Sequence, residues 1–197
     1  MKILLTSFAP FGGDEENASQ EVMNALPDRL GGAALEKLCL PVAFGRAAEL
    51  ALAQAERVRP DAIVCLGQAG GRAAITPERV AINVMDARIP DNDGFQPVDA
   101  PVVPGGPAAY FSTLPIRAMA EAMRAAGADA QISNTAGTYV CNSVMYAVLH
   151  GMNARRPGLP CGFIHLPYLT LQRRAADVPG IEKETAVCAL SAALRIL

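Results

Sequence analysis

The apolar positions of this chain fall into two patterns, short continuous runs and helical stripes, separated by Gly and Pro. Lys2 to Phe8 reads as a first strand, closed by Pro10 and Gly12-Gly13. The spacing that follows predicts a helix from about Ser19 to Ala25, with Asn17 or Ser19 as its cap. Leu35 to Val42 reads as a second strand, and Arg46 to Val58 as an alanine-rich helix stopped by Pro60. Asp61 to Leu66, DAIVCL, is a short unbroken apolar run, the mark of a parallel strand buried on both faces. The run Gly67 to Gly71 then turns the chain, and Val80 to Met85 forms another strand.

Arg88 to Tyr110 is a Pro/Gly-rich connection without periodicity, and loops of that length are usually functional or disordered. Helical spacing resumes at Ile116, Met119, Ala120 and Met123 and ends at Gly127. A short strand, Gln131 to Ser133, leads through the small-residue turn Asn134 to Thr138 into an apolar helix marked by Val140, Val144, Ala147 and Val148. Cys161 to Leu166 reads as a strand, and a last helix carries Ala186, Leu190, Ala193, Leu194 and Leu197 on one face. Alternating strands and helices predict an α/β fold: one domain over residues 1–197, a three-layer α/β/α sandwich around a mainly parallel, twisted sheet. Right-handed crossovers then gather the loops after successive strands at one sheet edge, where sites form in such folds.

Composition narrows the function classes. With 197 residues and 51% hydrophobic content the chain can bury a substantial core, and a net charge of −2 without a Lys/Arg block argues against nucleic-acid binding. The opening MKILLTSFAPFGG is too short an apolar run for a signal-peptide core or a membrane span, so a soluble, cytoplasmic protein with no membrane association is expected. Five cysteines form no CxxC pair, and with only His150 and His165 available no metal site is expected. Cys39, Cys65, Cys161 and Cys188 read most simply as core residues.

Cys141 stands apart because it falls within one turn of a helix N-terminus, where unpaired N–H groups and the macrodipole favour a thiolate. The alternative is a buried helix cysteine acting as a small hydrophobe. His165 lies near the end of CGFIHLP, on the same predicted edge, whereas His150 sits at the far end of the helix that Cys141 begins. Gln68, Arg72 and Glu78 follow the DAIVCL strand, so a nucleophile, a base and an orienting carboxylate can meet there. Glu78 could equally be a turn acid paired with Arg79. GQAGGR lacks the GK[ST] ending of a phosphate loop. Phe8 and Phe11, read as an exposed turn, suggest a pocket wall.

Four segments, TSFAPFGGDEENAS, GQAGGRAAITPERVAIN with ARIPDNDG, SNTAGTYVCN and GFIHLPY, resemble the type I pyroglutamyl peptidases, or pyrrolidone-carboxylate peptidases. The resemblance runs from Lys2 to about Gln172 and implies a cytosolic cysteine peptidase that removes an N-terminal pyroglutamyl residue from small peptides, without cofactor or metal. It implies a triad of Glu78, Cys141 and His165, the three residues that the loops bring forward. It also implies a lactam pocket of Phe8, Phe11, Asn17, Gln68, Ile89, Tyr139 and Val140, with Arg88 near the reacting carbonyl. A homotetramer is implied on the same basis. The chain departs from the family at Ala18, where proline is common, at Val42, where some members carry threonine, and at Thr170-Leu171, where proline and glutamate are often seen.

Overall fold

Side-chain alternation along the central strands decides the layering. The computed structural model describes residues 1–172 and 177–197. Six strands form the main sheet: β1 (Lys2–Phe8), β2 (Arg29–Leu30), β3 (Ala33–Leu40), β4 (Ala62–Gln68), β5 (Thr76–Pro77) and, later in the chain, β8 (Cys161–Leu166). Their spatial order is β2-β3-β1-β4-β8-β5; the four long strands run parallel, and β2 and β5 join antiparallel at the two edges. A separate antiparallel ribbon pairs β6 (Val80–Ile82) with β7 (Ala109–Phe111), and β9 (Tyr168–Leu169) pairs with β10 (Gly180–Ile181) in parallel. The helices are α1 (Ala18–Ala25), α2 (Arg46–Val58), α3 (Ile116–Ala125), α4 (Val140–Arg155) and α5 (Lys183–Leu194).

One face of the sheet, with Ile3, Leu5, Val64, Leu66, Ile164 and Leu166, packs against α1, α3 and α5. The other, with Leu4, Phe8, Ile63, Cys65 and Phe163, packs against α2 and α4. Each large apolar side chain so buried contributes roughly 1.5–3 kcal/mol. The period of two carries the second face on to Gly67 in β4 and His165 in β8, which are register partners. His165 therefore projects toward the layer that holds α4.

Several boundaries differ from the sequence reading. Gly67 and Gln68 belong to β4, and the turn begins only at Ala69, whose carbonyl accepts from Arg72 N (3.2 Å). Phe8 closes β1 and is buried, so it is not part of an exposed turn. Residues 131–133 are not a strand, although they lie parallel to residues 75–79: Gln131 N donates to Ile75 O, Ser133 N to Pro77 O and Arg79 N to Ser133 O. The bond missing from that ladder is the one Pro77 would donate, and proline has no N–H. Cys65 and Cys161 are core residues, but Cys39 and Cys188 are exposed. Cys39 lies where β3 has outrun its short neighbour β2, which pairs only at Ala33 and Ala34.

The long connection after β6 is ordered because its polar residues satisfy backbone groups elsewhere. Asp91 is buried; it accepts from Phe44 N (2.8 Å), Asp93 N (3.0 Å) and Phe95 N (2.8 Å), while Asn92 reaches Pro10 O (3.2 Å). Asn142, in the first turn of α4, plays the part of a strand neighbour for β6. Its amide accepts from Ile82 N (2.9 Å) and donates to Ile82 O (2.9 Å) and Val84 O (3.0 Å). Asn142→Ala would leave these groups unpaired in a buried setting and should cost roughly 3 kcal/mol. Urea unfolding measures it; a loss below about 1 kcal/mol would mean that water satisfies β6 instead.

Candidate active site

His165 and Glu78 meet because β5 folds back antiparallel on β8, placing Thr76 opposite His165 and Glu78 just beyond. Glu78 N donates to Phe163 O (2.9 Å), which fixes the backbone, and the side chain is wholly buried. Its Oε1 lies 2.7 Å from His165 Nδ1 and 2.6 Å from Arg72 Nη1. Burial alone would raise the Glu78 carboxyl, but hydrogen bonding and charge from His165, then Ser133 and Arg72, hold it below the usual range. A carboxylate only accepts hydrogen bonds, so Nδ1 carries the proton and Nε2 keeps its lone pair. Burial lowers the pKa of His165 despite Glu78, and the ring is neutral at neutral pH.

Cys141 is the second residue of α4, after Tyr139 as an extended N-cap that makes no side-chain capping bond. The first-turn N–H groups thus have no capping side chain, and the positive end of a 16-residue helix lies at the sulfur. A side chain at Gly67 would have its Cβ 3.1 Å from Cys141 Sγ and 2.7 Å from the Phe163 ring. The thiol therefore lies over bare β4 backbone, beside the strand position paired with His165. The helix end does not make it a thiolate: burial pushes the Cys141 thiol up to about 12, with Glu78 adding to the rise and Arg72 opposing it. This corrects the expectation of a lowered pKa. Both shifts favour a neutral thiol and a neutral imidazole at rest.

Both residues open into a cavity of about 240 Å³ at the carboxyl ends of β1 and β4, a common place for α/β sites. Phe8, Phe11 and Val42 form an apolar wall, and Tyr139 and Val140 line it at the start of α4. Arg72 and residues 135–137 complete it beside Gln68 and Ala69. The two candidate polar readers differ. Asn17 is spent on structure: its Oδ1 accepts from Ser19 N (3.0 Å) and Ser19 Oγ (2.7 Å), and its Nδ2 donates to Ala9 O (3.2 Å). Gln68 Oε1 accepts from Ala18 N (2.7 Å) and Gln172 Nε2 (3.3 Å), which orients its NH₂ as the free end.

Thus Cys141, His165, Phe8, Phe11, Asn17, Gln68, Tyr139 and Val140 line one cavity, with Glu78 buried behind His165, whereas Arg88 and Ile89 are exposed and do not line it. They stand on the loop that Tyr139 holds through a bond from its hydroxyl to Pro90 O (3.0 Å). The sequence reading placed Gly67 only in a turn and gave Arg72 no role; the sign for the latter was a lone cation in the glycine-rich stretch after a buried strand. Among the described residues no group of three His, Cys, Asp or Glu side chains could hold a metal ion, and no helix is long and apolar enough to cross a membrane.

The family model described as pyroglutamyl peptidase matches residues 1–197. The chain is 48% identical to the pyrrolidone-carboxylate peptidase of Levilactobacillus brevis, over 100% of this chain and 97% of that one. It is 49% identical to the pyrrolidone-carboxylate peptidase of Thermococcus onnurineus, over 95% and 94%. Among solved structures, pyroglutamyl peptidase I of Bacillus amyloliquefaciens superposes with a TM-score of 0.93 at 40% identity, covering 98% of this chain and 94% of that one. The pyrrolidone carboxyl peptidase of Thermococcus litoralis superposes at 0.94 with 37% identity, covering 99% and 92%.

The two titrating members make stability depend on pH in separable windows. His165 has a folded pKa below its ordinary 6.5, so the unfolded chain takes up the proton first, and stability falls as pH drops below about 6.5. Glu78 has a folded pKa below its ordinary 4.5, so its contribution is full above that value and is lost as pH falls further. His165→Asn should flatten the first fall in Tm and Glu78→Gln the second. A melting series from pH 7 to pH 4 checks this; a wild-type Tm that rises on acidification through the first window would contradict it.

Proposed function

Because the chain belongs to the pyroglutamyl peptidase family, we propose that it is a cysteine-type peptidase that hydrolyses the amide bond after an N-terminal pyroglutamyl residue. The observation that supports this most is a base with a free Nε2 and a thiol opening together into one small, mostly apolar cavity. A pyroglutamyl ring is an uncharged lactam and needs no carboxylate to hold an ammonium group. Phe8 and Phe11 cover the ring, and the Gln68 NH₂ donates to its carbonyl. Asn17 shapes the wall by capping α1.

In this reading His165 Nε2 removes the Cys141 proton as Sγ attacks the pyroglutamyl carbonyl carbon. The electron pair moves to oxygen, and the oxyanion is stabilised by first-turn N–H groups of α4 and its dipole. The C–N bond then breaks, and His165 returns the proton to the departing amine, leaving a thioester on Cys141. Water gives a proton to Nε2 as its oxygen attacks the thioester carbon; the C–S bond then breaks, Nε2 returns the proton to Sγ, and pyroglutamate leaves with the thiol restored. Glu78 keeps Nδ1 protonated throughout and stabilises the transient imidazolium. Arg88 and Ile89, exposed outside the cavity, are left to meet the peptide beyond the scissile bond.

Specificity gives the test. A prolyl residue has a ring of similar size, but it lacks the carbonyl that Gln68 reads and carries a charged amine. Burying that charge between phenyl rings without a counter-ion is costly. Discrimination in kcat/KM should reach roughly 10⁴-fold, as for sites built around a substrate hydrogen bond. Phe11→Ala should raise KM for the pyroglutamyl substrate without admitting proline, and Cys141→Ser should abolish turnover. Paired kinetics on pyroglutamyl and prolyl amides of one fluorophore decide the matter; comparable rates would defeat the assignment.

A further inference from the structure

We propose that Arg72 is a positioning residue of this reaction: it fixes the Glu78 carboxylate against His165 and ties that pair to the loop walling the lactam cavity. The inference rests on the functional reading above for its substrate, but its geometry stands independently. Arg72 Nη1 donates to Glu78 Oε1 (2.6 Å) and Thr76 Oγ1 (2.5 Å), and Nη2 donates to Thr135 O (3.0 Å). Glu78 Oε1 is the same oxygen that faces His165 Nδ1. One nitrogen of the guanidinium thus selects the carboxylate oxygen presented to the imidazole, and the other holds the backbone of a residue that lines the cavity. Thr135 O also accepts from Ser133 Oγ (3.0 Å), and Thr135 Oγ1 accepts from Gly137 N (3.0 Å). Residues 135–137 are thereby locked to the catalytic pair. Only a planar fork spans these two acceptors; a lysine ammonium is a single point.

The charge has a second consequence. The charged or titratable groups around His165 are Glu78, beyond β5, Arg72 from the β4–β5 turn, and Cys141 from α4. Glu78 favours the imidazolium, and Arg72 opposes it. Arg72 also opposes the rise that burial and Glu78 impose on the thiol. With Arg72 neutralised, the imidazole should hold its proton to higher pH and the thiol should ionise less readily.

The experiment compares the wild type, Arg72→Lys and Arg72→Gln by two readouts. One is the pH profile of kcat and KM on a pyroglutamyl amide; the other is the pH profile of Cys141 modification by iodoacetamide, which needs no substrate. Arg72→Gln should move the acid limb of both profiles upward by roughly one unit. Arg72→Lys keeps the charge and should keep the limb, yet KM should rise about tenfold because the loop at Thr135 is released. An unchanged limb and KM in Arg72→Gln would overturn the proposal. Equal losses of kcat in both variants at an unchanged limb would also overturn it, since they would indicate a scaffold role alone. A wild type that leaves pyroglutamyl amides uncut would defeat the functional reading instead, and the alkylation profiles would still decide the role of Arg72.

Discussion

One buried carboxylate organises this molecule. Glu78 has no contact with solvent, and its Oε1 receives both His165 and Arg72. Leaving such a charge without a partner costs on the order of 3–5 kcal/mol, so the three residues must arrive together. That requirement accounts for the small edge strand β5, whose pairing with β8 sets Glu78 beside the imidazole. It also accounts for the extended segment 129–133, which covers the outer side of residues 75–79 and brings Ser133 and Thr135 to the network. The electrostatic need and the backbone ladder specify the same arrangement.

The position of Cys141, the proposed nucleophile, depends on a different constraint, the absence of a side chain at Gly67. Cys141 and Phe163 occupy the space that a Cβ there would fill. The helix end supplies N–H groups suited to a developing oxyanion, while burial keeps the thiol protonated. A thiol pKa pushed up and an imidazole pKa pushed down by burial both disfavour a resting ion pair. In the proposed mechanism charge separation is deferred to the step in which substrate is attacked, where Glu78 and the helix end stabilise opposite signs.

The sequence made the long elements legible and hid the short ones. β1, α2 and β8 were readable to the residue because their apolar runs are bounded by Pro, Gly or polar residues. The two-residue strands β2, β5, β9 and β10 carry no periodicity that a run of letters could reveal. β5 matters most, and its role follows from pairing with a strand far along the chain. Cys141, His165 and Glu78 could be selected from loop placement and motif, because each sits next to a strand end or helix start. Arg72 and Gly67 could not, since the one acts through Glu78 and the other through the room it leaves. The thiol's raised pKa was also invisible: the sequence announces a helix terminus, but not how deeply it is covered.

The central claim is that Glu78 holds His165 as the Nδ1-protonated neutral tautomer, with Nε2 free beside a protonated thiol. Nitrogen-15 NMR of the imidazole rings tests this directly. The chain has two histidines, so a His150→Gln variant assigns the signals without ambiguity. At pH 7 the His165 spectrum should show one protonated nitrogen, Nδ1, and one unprotonated nitrogen, Nε2. Two protonated nitrogens, the mark of a preformed thiolate–imidazolium pair, or a proton on Nε2 alone, would contradict the account.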